Sequence, residues 1–192
     1  MGPRLRGDDR LYSVLRGDDG LMRSRYLRGP FTGFGLVAAL VACAVDQASK
    51  LYLLFVFDLA ARAPVHLGRF VDLVLARNTG ISYGLLQSHG PLGQWLLLGF
   101  KAIAVVLLWI WLARAHDRLT ALSLGLIIGG AVGNAIDRLA HGWVADFVFF
   151  HISAQTWHFD WYVFNLADVA IVAGVCGLLY ESLIGERAPK AP

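Results

Sequence analysis

Ionisable side chains lie inside or at the edges of long apolar runs, and that conflict constrains the chain more than any other feature. The runs are roughly Phe34–Phe57, Pro91–Ala113, Leu119–Ile136 and Tyr162–Ile184. Asp46 and Lys50 sit within the first, Asp137 and Arg138 end the third, Asp168 lies near the start of the fourth, and Asp146 falls between the last two. A helix crosses the hydrocarbon core with about 20 residues. A charge at that depth costs about 2.5–3.5 kcal/mol on insertion scales, so residues kept there usually mark a working site. A chain of 192 residues that is 57% hydrophobic therefore reads as an all-α integral membrane protein of four transmembrane helices. The third run is the shortest and the richest in glycine, so its ends are the least defined.

The net charge of +3 belongs to the N-terminus. Residues 1–30 hold seven Arg and four Asp, which leaves residues 31–192 neutral. No basic surface remains for a nucleic acid. The tail repeats Leu-Arg-Gly-Asp-Asp at 5–9 and 15–19, has too few apolar residues for a core, and reads as disordered and dispensable. The expected organisation is a tail over 1–30, a membrane domain over 31–186 and a short tail over 187–192. Arginine and lysine near the span ends favour both termini in the cytoplasm, with Arg114, Arg118, Arg187 and Lys190 inside and Arg62, Arg69, Arg77 and Arg138 outside. Cys43 and Cys176 fall within apolar runs and read as small buried hydrophobes.

Two outer loops follow from that orientation. In Asp58–Gly90, the run Phe70–Leu75 looks strand-like. Arg138–Trp161 is rich in aromatics, among them Trp143, Phe147, Phe149, Phe150, Trp157, Phe159 and Trp161. Such residues favour the membrane–water interface, as a plain interfacial shelf or, as a group, as a lip that touches lipid or a lipid-like substrate.

Asp146 and Asp168 each stand where a loop meets a span. If the third and fourth helices are neighbours, the two carboxyls can converge and share a proton, as in an aspartic protease, which needs no metal and no cofactor. The alternative is that Asp146 caps a turn and Asp168 caps a helix. Asn134 and Asp137 share a helix face with Arg138 adjoining, either as a shell orienting the acids or as a helix-end network with Arg138 snorkelling to the interface. Asn165 faces the same way as Asp168. Asp46 and Lys50 have ion-pair spacing, and Gln47 and Ser49 do not share their face. Gly80 permits φ > 0 and Asn78 can cap or hydrogen-bond a backbone, or the two belong to a plain turn. The six histidines show no H-E-x-x-H, there is no G-x-S-x-G, and Ser49 and Lys50 point about 100° apart, so zinc and serine chemistries are disfavoured.

The patterns DQASK (46–50), RNTGISYG (77–84), GNAIDR (133–138), VADF (144–147) and FNLAD (164–168), in that order on four spans, resemble the bacterial lipoprotein signal peptidase family, also called signal peptidase II. The resemblance runs from about Phe34 to Ile184. It implies a four-helix aspartic endopeptidase of the inner membrane, monomeric, with a small β-sheet cradle and an amphipathic, aromatic loop on the outer side. It implies a diacylglyceryl-modified prolipoprotein as substrate, cut just before the lipidated cysteine, with membrane lipids as neighbours. Position by position it puts the catalytic pair on Asp146 and Asp168, with Asp137 as the competing choice for the first. Supporting roles fall on Asp46, Lys50, Asn78, Gly80, Asn134, Asp137, Arg138 and Asn165. The tail 1–30 has no counterpart, Ala145 stands where Val is usual, and Ile81–Gly84 departs from a small-aromatic run. From another class, a proton-coupled carrier would use the same acids as relay groups, but such carriers usually show internal repeats, and none is evident here.

Overall fold

Small residues let three helices approach closely at the centre of the molecule. The computed structural model describes residues 28–80, 91–154 and 156–185. Helix α1 (Thr32–Leu51) continues as a π-helical turn, Tyr52–Val56. A short helix α2 (Leu59–Arg62) and strands β1 (Val65–His66) and β2 (Val71–Asn78) follow. Then come α3 (Pro91–Leu112), α4 (Arg118–His141), β3 (Val144–Ser153), β4 (His158–Asp160) and α5 (Leu166–Gly185). The expected tail up to residue 27, the run Ile81–Gly84 and residues 187–192 lie outside the described residues.

Helix α4 is central. Asp117 starts it by accepting from the Thr120 amide (2.8 Å) and hydroxyl (2.6 Å), an N-cap that satisfies an orphan donor. Gly142 ends it with φ of 79°, a left-handed turn that glycine adopts without penalty. Between these ends it runs 24 residues, where the sequence had suggested the shortest span. Its glycines are contact points rather than breakers. A Cβ on Gly125 would strike the Gly35 carbonyl of α1, one on Gly129 the Ala39 carbonyl, and one on Gly133 would stand 2.6 Å from Asp46 Oδ2. Spaced four apart, these form one stripe against α1. On another face Gly130 meets Ala167 of α5, and Gly174 of α5 meets the Ser123 carbonyl. Helices in lipid associate through such close packing because lipid is as apolar as leucine.

Three helices, Thr32–Val56, Arg118–His141 and Leu166–Leu183, are long and apolar enough to cross a membrane, and Leu98–Leu112 is a shorter apolar helix. Their outer faces carry exposed Phe55, Phe100, Val172 and Leu183, as lipid contact requires. Cys43 is half-buried and Cys176 exposed. The expectation of buried thiols therefore fails for Cys176, which lies on an apolar face turned away from the bundle.

The aromatic segment after α4 is not a free loop. It forms β3 and β4 of a four-stranded antiparallel sheet in order β1-β2-β3-β4, where inward aromatics pack and outward ones stay exposed. All of the strand-like run but Phe70 lies within β2, paired with β3 through Val71–Phe150 and Asn78–Val144, with a register shift between Leu73 and Ala76. Buried Asp72 of β2 hydrogen-bonds His66 Nδ1 of β1 at 2.8 Å, and His151 Nε2 of β3 stands 3.2 Å away without hydrogen-bond geometry. The sheet sits at one end of the bundle, where α1 and α4 finish and α5 begins. Replacing Gly129 by Val is expected to force α1 from α4 and cost about 1–3 kcal/mol, read as a lowered unfolding temperature in detergent. An unchanged temperature would contradict this packing.

Candidate functional site

The site is built on Lys50, whose ammonium is buried in the last full turn of α1. It donates to Asp46 Oδ2 (2.8 Å) and Asn134 Oδ1 (3.0 Å) and stands 2.9 Å from Asp137 Oδ2. Three donors thus meet three acceptors. Asp46, fully buried, accepts through Oδ1 from the Ala167 amide at 2.9 Å. That amide is an orphan donor of the first turn of α5, so the carboxylate of one helix caps another. Asp137 accepts from the Ala145 amide at 3.1 Å, which seats the start of β3 on α4. Asp46 and Lys50 are therefore more than an isolated pair; they join α1, α4, α5 and the sheet.

Gln47 is the residue the sequence reading missed. Its Nε2 donates to Asp137 Oδ1 (2.9 Å), the Gly133 carbonyl (3.1 Å) and Asp46 Oδ2 (3.2 Å). At about 100° per residue, Gln47 lies only about 60° from Lys50, within reach of a long amide. That arithmetic was the available signal. Ser49 turns back to the Asp46 carbonyl at 2.7 Å and stays outside the network.

From this base, three asparagines aim donors at two acids. Asn134 Oδ1 is held by the Lys50 ammonium, which can only donate, so its Nδ2 faces Asp168 Oδ1 at 3.0 Å. Asn165 Oδ1 accepts from the Asp168 amide at 3.0 Å, and its Nδ2 reaches Asp146 Oδ1 at 2.6 Å and Asn134 Oδ1 at 3.1 Å. Asp168 Oδ2 returns a bond from the Asn165 amide at 3.2 Å, so the two make a reciprocal capping box at the start of α5. Asn78 closes a turn by accepting from the Gly80 amide (3.0 Å), which points its Nδ2 at Asp146 Oδ2, also at 3.0 Å. Each carboxyl oxygen of Asp146 and Asp168 thus has a fixed donor.

Arg138 does not snorkel. It is buried, donates from Nη2 to the Gly80 carbonyl at 2.7 Å, and leaves Nε without a partner among the described residues. It thereby clamps the turn carrying Asn78. All ten residues singled out in the sequence gather here: Asp46, Lys50, Asn78, Gly80, Asn134, Asp137, Arg138, Asp146, Asn165 and Asp168.

Burial pushes the Asp146 carboxyl up from its ordinary value to about 6, and the negative charge of Asp168 adds to this. The hydrogen bonds from Asn78 and Asn165 pull the other way. A buried acid near neutrality beside a second acid is the arrangement that exchanges protons at working pH. An apolar cavity of ≈ 330 Å³ opens at Asp168, walled by Tyr162, Phe164, Val169 and Val172. Among the described residues, no three His, Cys, Asp or Glu side chains form a metal-holding group.

A family model described as Signal peptidase (SPase) II matches residues 38–184. The chain is 60% identical over 158 residues to a lipoprotein signal peptidase of Nitrobacter hamburgensis, covering 82% of this chain and 96% of that one. It is 58% identical over 158 residues to the lipoprotein signal peptidase of Rhodopseudomonas palustris strain TIE-1, with the same coverage. In fold it resembles a bacterial membrane enzyme solved by the in meso method at 2.3 Å resolution, with a TM-score of 0.68 and 21% identity over 85% of this chain and 95% of that one.

Because the Asn78 amide stabilises ionised Asp146, Asn78→Ala is expected to raise that carboxyl further above about 6. Infrared titration of the carboxyl band checks this; an unmoved or lowered midpoint would contradict the assigned hydrogen bond.

Proposed function

This chain belongs to the signal peptidase II family, whose members cleave signal peptides from prolipoproteins, and from that membership we propose that it is an aspartic endopeptidase. Its pair is Asp146 and Asp168, and its substrate is a diacylglyceryl-modified prolipoprotein cut just before the lipidated cysteine. The observation that carries the reading is the convergence of three oriented asparagine donors on these two acids.

The two carboxyls share one proton, because two neighbouring negative charges in a buried site are costly. The ionised member takes a proton from water as the water oxygen attacks the scissile carbonyl carbon. The protonated member hydrogen-bonds the carbonyl oxygen. The tetrahedral adduct then collapses: the C–N bond breaks, a proton passes to the leaving amine of the cysteine, and the pair returns to one shared proton. Asp137 is less suited to this work, since Gln47, Lys50 and the Ala145 amide occupy its oxygens. It positions instead.

The membrane setting supports the same substrate. Four helices span the inner membrane within one domain over 31–186, with α3 as the fourth, and the enzyme works as a monomer among lipids. The residues at the ends of α1 and α4 and the start of α5 meet at the site, so both termini of the described chain lie on the opposite, cytoplasmic side. The site then faces outward at the interface. A diacylated cysteine is held there by about 0.8 kcal/mol per buried CH₂, and the apolar cavity beside Asp168 suits an apolar segment of such a substrate.

Asp146→Asn and Asp168→Asn are each expected to abolish processing in a protein that remains folded and inserted, scored by gel shift of a lipidated prolipoprotein. Normal cleavage by either would sink the pair. Asp137→Asn should lower the unfolding temperature at least as markedly as it lowers the rate, and full activity in a stable mutant would remove it from the site. With Asp146 titrating near 6 beside the charge of Asp168, the pair holds its shared proton below that value and loses it above, so kcat/KM should fall about tenfold per pH unit above about 6. A flat profile through that region would contradict this.

A further inference from the structure

Lys101 is the only ionisable residue in α3, and neither the sequence motifs nor the hydrogen-bond network account for it. Its position on the helix is informative. Val105 and Leu108 are half-buried against the core cluster and Leu112 is within it. Lys101 precedes them at spacings of four, three and four residues, so it occupies the interior stripe of α3 rather than the lipid face. Its neighbours Phe100 and Ile103 are exposed, while Lys101 is only partly so. An ammonium in such a stripe is expensive without compensation, yet no ion pair or hydrogen bond engages it among the described residues. Lys101 lies within electrostatic range of Arg138, Asp168, Lys50 and Asp146.

The formal charges of the site give it a purpose. From α1 come Asp46 and Lys50, from α4 Asp137 and Arg138, from β3 Asp146 and from α5 Asp168. With Asp146 and Asp168 sharing one proton, the carboxyls carry three negative charges, and Lys50 and Arg138 supply two positive ones. The buried cluster reaches neutrality only when Lys101 is counted.

We propose that Lys101 is the counter-cation that holds the acid pair in its singly protonated state, a positioning residue acting through charge rather than by touching the substrate. This rests on Asp146 and Asp168 being the catalytic pair. A nearby cation favours the ionised form of a carboxyl. Removing it makes each proton harder to lose, so both limbs of the pH–rate profile move to higher pH.

The test is the pH dependence of kcat/KM for the purified full chain on a lipidated prolipoprotein, comparing wild type with Lys101→Met, Lys101→Gln and Lys101→Arg. Methionine and glutamine keep the length of the side chain and remove its charge, and both suit an apolar helix. The expected result is an upward shift of about one pH unit in both limbs for Met and Gln, equal to about a tenfold loss on the acid side, with Arg restoring the wild-type profile. An unmoved profile in the neutral variants would overturn the proposal, as would a uniform loss at every pH that Arg does not rescue. Asp146→Asn is measured beside them. If it is inactive while the Lys101 variants keep the wild-type profile, only this inference falls; if it cleaves normally, the reading of the pair falls and takes the inference with it.

Discussion

The buried ammonium of Lys50 is the contact on which the remaining geometry depends. It joins Asp46 on its own helix to Asn134 and Asp137 on α4, and Asp46 in turn caps α5. Three helices and the start of β3, through the Ala145 amide, are thus referred to one point. Breaking a buried pair by removing one partner typically costs about 3–5 kcal/mol, because the other charge is left without compensation. The network explains how a small bundle can hold ionised groups at membrane depth: the charges satisfy one another and the free backbone amides at the helix ends.

Orientation then passes outward in steps. A cation fixes the oxygen of Asn134; a backbone amide fixes the oxygen of Asn165; another fixes that of Asn78. In each case an obligate donor occupies the carbonyl side, so the NH₂ side must face an acid. The helix that carries Asp168 is capped by Asn165, and that same asparagine donates to Asp146. Stability and site geometry therefore use the same bonds. For Asp168, the hydrogen bonds show the capping alternative, and the proposed catalytic role would use the same arrangement. In the proposed reaction, a shell set in this way before substrate arrives would cost no rearrangement as charge develops.

Much of this was legible in the sequence, and the exceptions have physical causes. The apolar runs gave the helices, since nothing else needs twenty apolar residues in a row. The acids and asparagines stood out because lipid penalises them. Glycine misled: in α4, a run rich in glycine read as the shortest span with the least defined ends, but Gly125, Gly129 and Gly133 face α1 at close approach, which a linear reading cannot show. The aromatic stretch after α4 looked like an interfacial loop because its alternation is masked by aromatics on both faces, and it is a strand pair in the sheet. Gln47 escaped notice because a helix-face argument takes no account of the reach of its side chain. Lys101 carried no motif at all, and only the packing of α3 on α4 reveals which way it faces.

The central claim is that this arrangement hydrolyses one particular bond in a lipid-anchored substrate. Intact mass analysis of the products formed when the purified chain meets a diacylglyceryl-modified prolipoprotein tests it most directly. The account predicts two products, a free signal peptide and a protein whose first residue is the lipidated cysteine. Cleavage at any other bond, or no cleavage by a folded protein on a substrate that a control enzyme processes, would contradict it.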